Sequence, residues 1–337
     1  MRDLNALPKA ELHIHIEGSL QPELALAFAA RNGVTLPWGS AEELCRQYEF
    51  EDLQSFLDVY YAVLGAVQNE QDFFDLTAAY LDVAAAQGVR HVDLFFDPQA
   101  HTTRGVPLRT VIAGISRALD DARSRLDVTS TLVMCFLRDR DPAEALELLD
   151  ELAADAALLA RITAVGLDSA ESPYPPRLFT DVYARARALG LRAVAHAGEE
   201  GPPSYIVEAL DLLQVERVDH GVRVLEDPAL VARLVEERLP LTVCPFSNVR
   251  LRVVTELSQH PILSMLDAGL RVTVNSDDPA YFGGYVGDNF VALREELGLT
   301  DEQAAILAVN SIDGSFAPDE RKAELRARVT EWLAYGT

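Results

Sequence analysis

The sequence predicts an α/β fold, a (β/α)8 barrel with a helical insertion after the first strand and extra helices at the C-terminal end. Three observations carry that expectation. Eight short apolar runs, rich in β-branched residues, alternate with longer helical stretches, the pattern of a parallel sheet with crossover helices. Turn-forming residues stand before several of these runs, as in Gln87-Gly88, Leu189-Gly190, Pro240 and Ala268-Gly269. Polar motifs then appear where runs end, and the C-terminal strand ends of such a barrel are where active sites assemble. A doubly wound sheet is the competing arrangement for the same alternation.

The candidate strands are Glu11–His15, Val89–Phe96, Val128–Phe136, Ile162–Leu167, Leu191–His196, Arg217–His220, Leu239–Cys244 and Leu270–Asn275. Helical patterns between them include Asp141–Ala160, Pro176–Leu189, Ser204–Leu213 and Pro228–Glu237. The interval from Gly18 to Gln87 is too long for one crossover helix. It reads as an insertion over about 19–87 containing helices at Pro22–Asn32, Ala41–Tyr48, Leu53–Val67 and Gln71–Ala86. An insertion after a barrel strand lies over the mouth of the site, as a lid would. Thr300–Trp332 reads as further helix. With no long linker and no internal repeat, residues 1–337 are expected to form one domain.

Composition narrows the function. Asp+Glu number 53 against 29 Lys+Arg, a net charge of −24, which repels phosphate backbones and anionic lipids. Nucleic acid and membrane are therefore not expected as partners; a neutral or cationic small molecule is, and self-association into a homo-oligomer is left open. No apolar run approaches the roughly 18–20 residues of a membrane span, and Met1-Arg2-Asp3-Leu4-Asn5 begins no signal peptide. Cys45, Cys135 and Cys244 are widely spaced, without a Cys-x-x-Cys pair. That argues against disulfides and Cys-based zinc fingers and suits the cytoplasm.

Four motifs end candidate strands: His13-Ile14-His15-Ile16-Glu17-Gly18, His196-Ala197-Gly198-Glu199, Asp219-His220-Gly221 and Asn275-Ser276-Asp277-Asp278-Pro279. Alternate residues of a strand share a face, so His13 and His15 present two imidazoles side by side. His196 and Asp277 are candidates for a third nitrogen and a carboxylate oxygen. Three nitrogens and one oxygen suit Zn²⁺ better than Ca²⁺ or Mg²⁺, with iron and manganese also open. Glu199 stands beside such a metal without being a ligand, as a general acid or base must. Each motif alone has an ordinary reading as well: two core histidines, a Glu at a helix N-terminus, a buried His220, a turn before Pro279. Adjacent carboxylates at Asp277 and Asp278 repel one another unless a cation is present. The chain has two lysines, Lys9 and Lys322, neither near the fourth strand, so a binuclear centre bridged by a carbamylated barrel lysine is excluded and one ion per chain is expected.

Taken together, Glu11-Leu-His-Ile-His-Ile-Glu-Gly18, His196-Ala-Gly-Glu199, Asp219-His-Gly221 and Ser276-Asp-Asp-Pro279 resemble the adenosine/adenine deaminase family of the amidohydrolase superfamily. The resemblance implies that His13, His15, His196 and Asp277 hold zinc. It further implies that Glu199 protonates purine N1, His220 orients or deprotonates the attacking water, and Asp278 meets N7. Adenosine deaminases typically carry Asp where this chain has Glu17, and Gly where it has Glu171, within Gly166-Leu-Asp-Ser-Ala-Glu171-Ser172. With Phe96-Asp-Pro-Gln99, His101 and Arg104-Gly-Val106, the pattern is similar to the microbial adenine deaminases. The resemblance thus implies hydrolysis of adenine to hypoxanthine and ammonia in purine salvage, with Glu171, Ser169 and Glu17 shaping the pocket for a free base. An adenosine-like nucleoside or an N6-substituted adenine is the alternative substrate, and a non-catalytic metal- or ligand-binding barrel the alternative of a different class. Phe95 and Phe96 read as core. Phe56 and Tyr60, one helical turn apart, read equally as a packed face or as a cover for a flat base.

Overall fold

Eight parallel strands, β1 to β8, lie side by side in chain order in the computed structural model, which describes residues 1–335. They are Lys9–Glu11, Val89–Phe96, Thr129–Leu137, Ala164–Asp168, Arg192–Ala197, Arg217–His220, Pro240–Val243 and Arg271–Val274. Helices connect them on the outside, and the arrangement is the expected (β/α)8 barrel. No helix among the described residues is long and apolar enough to cross a membrane.

The first strand is shorter than the sequence suggests. It stops at Glu11 because the next amide, that of Leu12, donates to the Asn275 side chain at 2.9 Å instead of to a neighbouring strand. Pairing resumes at single bridges, Ile14 with Asp277 and His15 with Phe95. The amide of Asp277 donates to the His13 carbonyl, and the amide of His15 to the Asp277 carbonyl, both at 3.1 Å. These bonds close the seam between the first and last strands.

The interval after β1 holds α1 (Pro22–Asn32), α2 (Ala41–Cys45), α3 (Leu53–Leu64) and α4 (Glu70–Ala86). The last is an ordinary crossover helix. A reciprocal cap between Asn69 and Asp72 starts it, and it packs on the outer helix Leu108–Arg125, where Gly114 allows close approach to Phe73. The true insertion therefore ends before Asn69. The expected helix Asp141–Ala160 is broken at Asp155, whose carboxylate accepts from the amides of Ala157 and Leu158 and starts a new short helix there. Thr300–Trp332 likewise divides into Asp301–Gly314 and Asp319–Tyr335. Between them Phe316 enters the barrel and Pro318 prevents helix continuation.

Inside the barrel, Phe95, Val133, Cys135, Ala164, Val194 and Phe316 form one apolar cluster. Beside it lies a fully buried ion pair: Arg217 donates to Asp93 at 2.7 Å and to the Leu12 carbonyl at 3.0 Å. Asp93 also accepts from Thr131 at 2.6 Å and from His91 at 2.9 Å. Burial alone would raise the pKa of Asp93, but His91 and Arg217 outweigh it and hold the carboxyl below the usual carboxylate range. A depressed pKa adds stability above the unfolded value of about 3.9 that is lost as pH falls through and below it. Arg217→Met should cost about 3–5 kcal/mol at pH 7 by leaving Asp93 without its cation. In urea unfolding the gap from wild type should narrow towards acid, as Asp93 becomes protonated in the variant; a pH-independent gap, or none, would refute this role.

Candidate active site

Four buried side chains from three places in the barrel converge above the apolar cluster. His13 and His15 follow β1, His196 lies in β5 and Asp277 follows β8, and one nitrogen or oxygen from each lies within 4.8 Å of all the others. The i, i+2 spacing turns both histidines of the first motif inward, with ring centroids 5.4 Å apart. His13 Nε2 stands 3.2 Å from Asp277 Oδ1, His15 Nε2 stands 3.5 Å from the same oxygen, and His15 Nε2 is 3.3 Å from His196 Nε2.

These separations suit a metal. Zinc held tetrahedrally at about 2.0–2.1 Å puts its ligand atoms about 3.3 Å apart. His13 Nε2 is buried without a hydrogen-bond partner. Its other nitrogen lies 2.9 Å from Thr242 Oγ1, which itself donates to Asp219 at 2.9 Å. The threonine oxygen therefore accepts from Nδ1–H, and the Nε2 lone pair is left facing the cluster. Behind His15, Nδ1 approaches Asp168 Oδ2 at 3.5 Å and Asp97 Oδ1 at 3.9 Å. The three nitrogens and one oxygen thus fit a divalent ion.

Glu199 and His220 border the same point, with His220 Nε2 3.4 Å from Glu199 Oε2 and 3.8 Å from Asp277 Oδ2. Burial, then the negative charges of Asp277, Glu171, Glu200 and Asp278, push the Glu199 carboxyl well up. Burial and His13 push the His220 imidazole down to about 3, so it is neutral at physiological pH. Burial and Asp277 likewise raise Asp278. Three non-glycine residues here, Ser169, His220 and Asp277, have φ of 68°, 62° and 64°. Such conformations cost on the order of 1 kcal/mol or more each and gather at functional sites. Gly18 is required by the same crowding, since a Cβ there would overlap the Asp278 carboxyl.

The cluster forms the floor of a cavity. Its wall includes Asp97, Asp168, Ser169 and Asp278, and α3 roofs it with Leu53, Phe56, Leu57, Tyr60 and Tyr61. Part of the insertion thus lies over the mouth. Phe56 and Tyr60 both line the cavity and pack on Tyr281, so the packed face and the cover are the same surface. Phe95 is buried core, tilted against His13.

Of the residues expected to shape a free-base pocket, Ser169 lines the cavity and the other two do not. Glu17 is buried beside it, with Oε1 accepting from the Asp97 amide at 3.1 Å and from His101 at 2.8 Å; His101 in turn lies 2.8 Å from Arg104. Glu171 turns away from the cavity, and both of its oxygens are taken by backbone amides of residues 198–201. The acidic side chains at 17 and 171 thus reach donors of neighbouring loops. Asp97 and Asp168 also line the cavity, outside the candidate residues of the sequence. The signal that marked Asp277, a carboxylate where an apolar run ends, is also present in Phe96-Asp97 and Leu167-Asp168.

The family described as Adenosine deaminase matches residues 8–332. An adenine deaminase of Streptomyces coelicolor is 60% identical over 325 residues, 96% of this chain and 94% of that protein. The crystal structure of an adenine deaminase from Arthrobacter aurescens superposes with a TM-score of 0.95 at 56% identity, covering 98% of this chain and 100% of that one. An amidohydrolase from Burkholderia ambifaria, solved with bound zinc, has a TM-score of 0.89 at 30% identity, covering 99% of this chain and 92% of that one. With a matched span that takes in every strand and the whole histidine–carboxylate cluster, the chain belongs to the adenosine deaminase family.

Proposed function

We propose that this protein hydrolyses adenine to hypoxanthine and ammonia, working as one domain in the cytoplasm, where its free cysteines suit a reducing environment. One observation carries the chemistry: a buried three-histidine, one-carboxylate cluster shares a lidded cavity with an acid and an imidazole that take no part in it. The adenine deaminases among its relatives, at 52–60% identity, support the choice of substrate.

His13, His15, His196 and Asp277 would hold a single zinc ion. When bound, such an ion lowers the pKa of water from 15.7 to about 7 and so provides hydroxide near neutrality. The remaining work belongs to side chains. Glu199, kept protonated by burial and its acidic neighbours, gives its proton to purine N1 and draws off the negative charge that develops when oxygen adds to C6. His220, neutral and with Nε2 3.8 Å from Asp277 Oδ2, orients the attacking water and accepts its proton. The C6–N6 bond then breaks. His220 passes its proton to N6, which leaves as ammonia; the proton left on the added oxygen returns to Glu199, and the proton that Glu199 gave stays on N1 of the lactam. Asp278, raised towards its protonated form, donates to N7, while Ser169 meets the outer edge of the ring. Phe56 and Tyr60 cover the plane of the base and keep bulk water out.

Loss of purine absorbance should be rapid with adenine and slow with adenosine when zinc-loaded protein is offered each separately; preference for adenosine would overturn the substrate while leaving the mechanism. Glu199→Gln should keep its zinc and lose about 10²–10⁴-fold in turnover, so near-normal turnover would remove it from the reaction. In His13→Ala, metal content and activity should fall together when measured on the same preparation. Full zinc occupancy in that variant would disprove its place in the metal site.

A further inference from the structure

Four consecutive backbone amides point at one side chain. Gly198 donates to Glu171 Oε1 at 2.7 Å, and Glu199, Glu200 and Gly201 donate to Oε2 at 3.0, 2.9 and 2.8 Å. The carboxylate is 1% exposed, and both of its oxygens accept from this one loop. The fully buried Arg138 donates to the His196 carbonyl and to the Tyr174 carbonyl, each at 2.8 Å, and to neither Glu171 oxygen. The amides that Glu171 collects run from two residues after His196 through Glu199 to Gly201. Without the carboxylate, four donors would face a buried space with no acceptor, a cost that no folded loop tolerates intact.

We infer that Glu171 is a positioning residue, whose buried carboxylate templates the 198–201 loop and thereby sets where the Glu199 side chain stands over the metal site. The inference rests on the reading of Glu199 as the acid. Two local features support it. Gly198 adopts φ of 72°, which lets the chain leave β5 sharply and turn its next amides to a common point. At Gly201, a Cβ would lie 2.6 Å from Glu171 Oε1 and 2.5 Å from Tyr205 Cδ2, so glycine is what allows the carboxylate to seat. Glu171 does not line the cavity, whereas Glu199 does. The anion is therefore turned towards the backbone of the acid's loop and away from the substrate.

The test uses zinc-loaded, full-length protein. Glu171→Gln replaces an oxygen by an NH2 that must face at least one of the four N–H donors. Turnover of adenine should fall by about 10²-fold, as for a catalytic group displaced by an ångström, with KM and zinc content close to wild type. Amide hydrogen exchange at residues 198–201 should quicken, while exchange in β1 and β8 is unchanged. Gly201→Ala, which expels the carboxylate from the opposite side, should give the same fall in kcat, and it answers the question if Glu171→Gln does not fold. Glu171→Asp should recover part of the loss. A raised KM with kcat retained would make Glu171 a substrate contact, and loss of zinc with activity would make it a support for His196; either overturns the inference, as does unchanged turnover. Should Glu199→Gln prove active, the assignment of the acid itself is wrong. Should it prove inactive while Glu171→Gln and Gly201→Ala turn over normally, only the inference falls.

Discussion

The seam between the first and last strands is closed by residues that also supply the converging ligand atoms. His13 accepts from the Asp277 amide and Asp277 accepts from the His15 amide, each at 3.1 Å. Backbone pairing therefore sets the distance between two imidazoles and a carboxylate before any ion is considered. A shift of one residue in this register would turn both histidines out of the barrel. Glu11 strengthens the seam by accepting from the Ser276 amide and hydroxyl, and Tyr80 holds Glu11 at 2.7 Å. Barrel closure and the geometry of the ligand cluster are in this sense one set of contacts.

Buried carboxylates recur throughout this part of the molecule, and their partners divide them into two groups. Glu11, Glu17 and Glu171 accept from the loops after β8, β2 and β5 respectively, and each ties down a segment that carries a cavity residue. Glu199, Asp97, Asp168 and Asp278 line the cavity and keep one or more oxygens without a hydrogen-bond partner. Buried polar atoms are normally satisfied, so the unsatisfied oxygens mark the space in which substrate and cation are received. Glu11 and Glu171, which accept through both oxygens, shape the walls of that space, while Glu17 accepts through Oε1 alone and its buried Oε2 has no partner.

The roof follows the same economy of parts. Phe56 packs on Phe282 at a centroid distance of 4.9 Å and on Tyr281 at 5.4 Å, joining α3 to the short helix that follows Asp277-Asp278. The lid is thus anchored to the loop carrying the carboxylates beneath it. Its aromatic side chains are at once core for the insertion and ceiling for the cavity.

Much of this was legible in the sequence. Alternating apolar runs and helical stretches are local patterns, and burial on both faces of a parallel sheet forces them into the chain; eight strands, the insertion and the polar strand ends could be read for that reason. His13, His15, His196, Glu199, His220, Asp277 and Asp278 could be picked out because each interrupts apolar sequence where a strand ends. Tertiary structure alone decided what the remaining acids do. Glu17 and Glu171 meet partners 80 and about 30 residues away, and no local pattern says whether a carboxylate at a strand end faces the cavity or the backbone of the next loop. The same limit hid the early end of β1 at Glu11 and the column from Asp93 through Arg217. Each of these depends on a hydrogen-bond donor brought close by barrel closure, and sequence spacing carries no record of it.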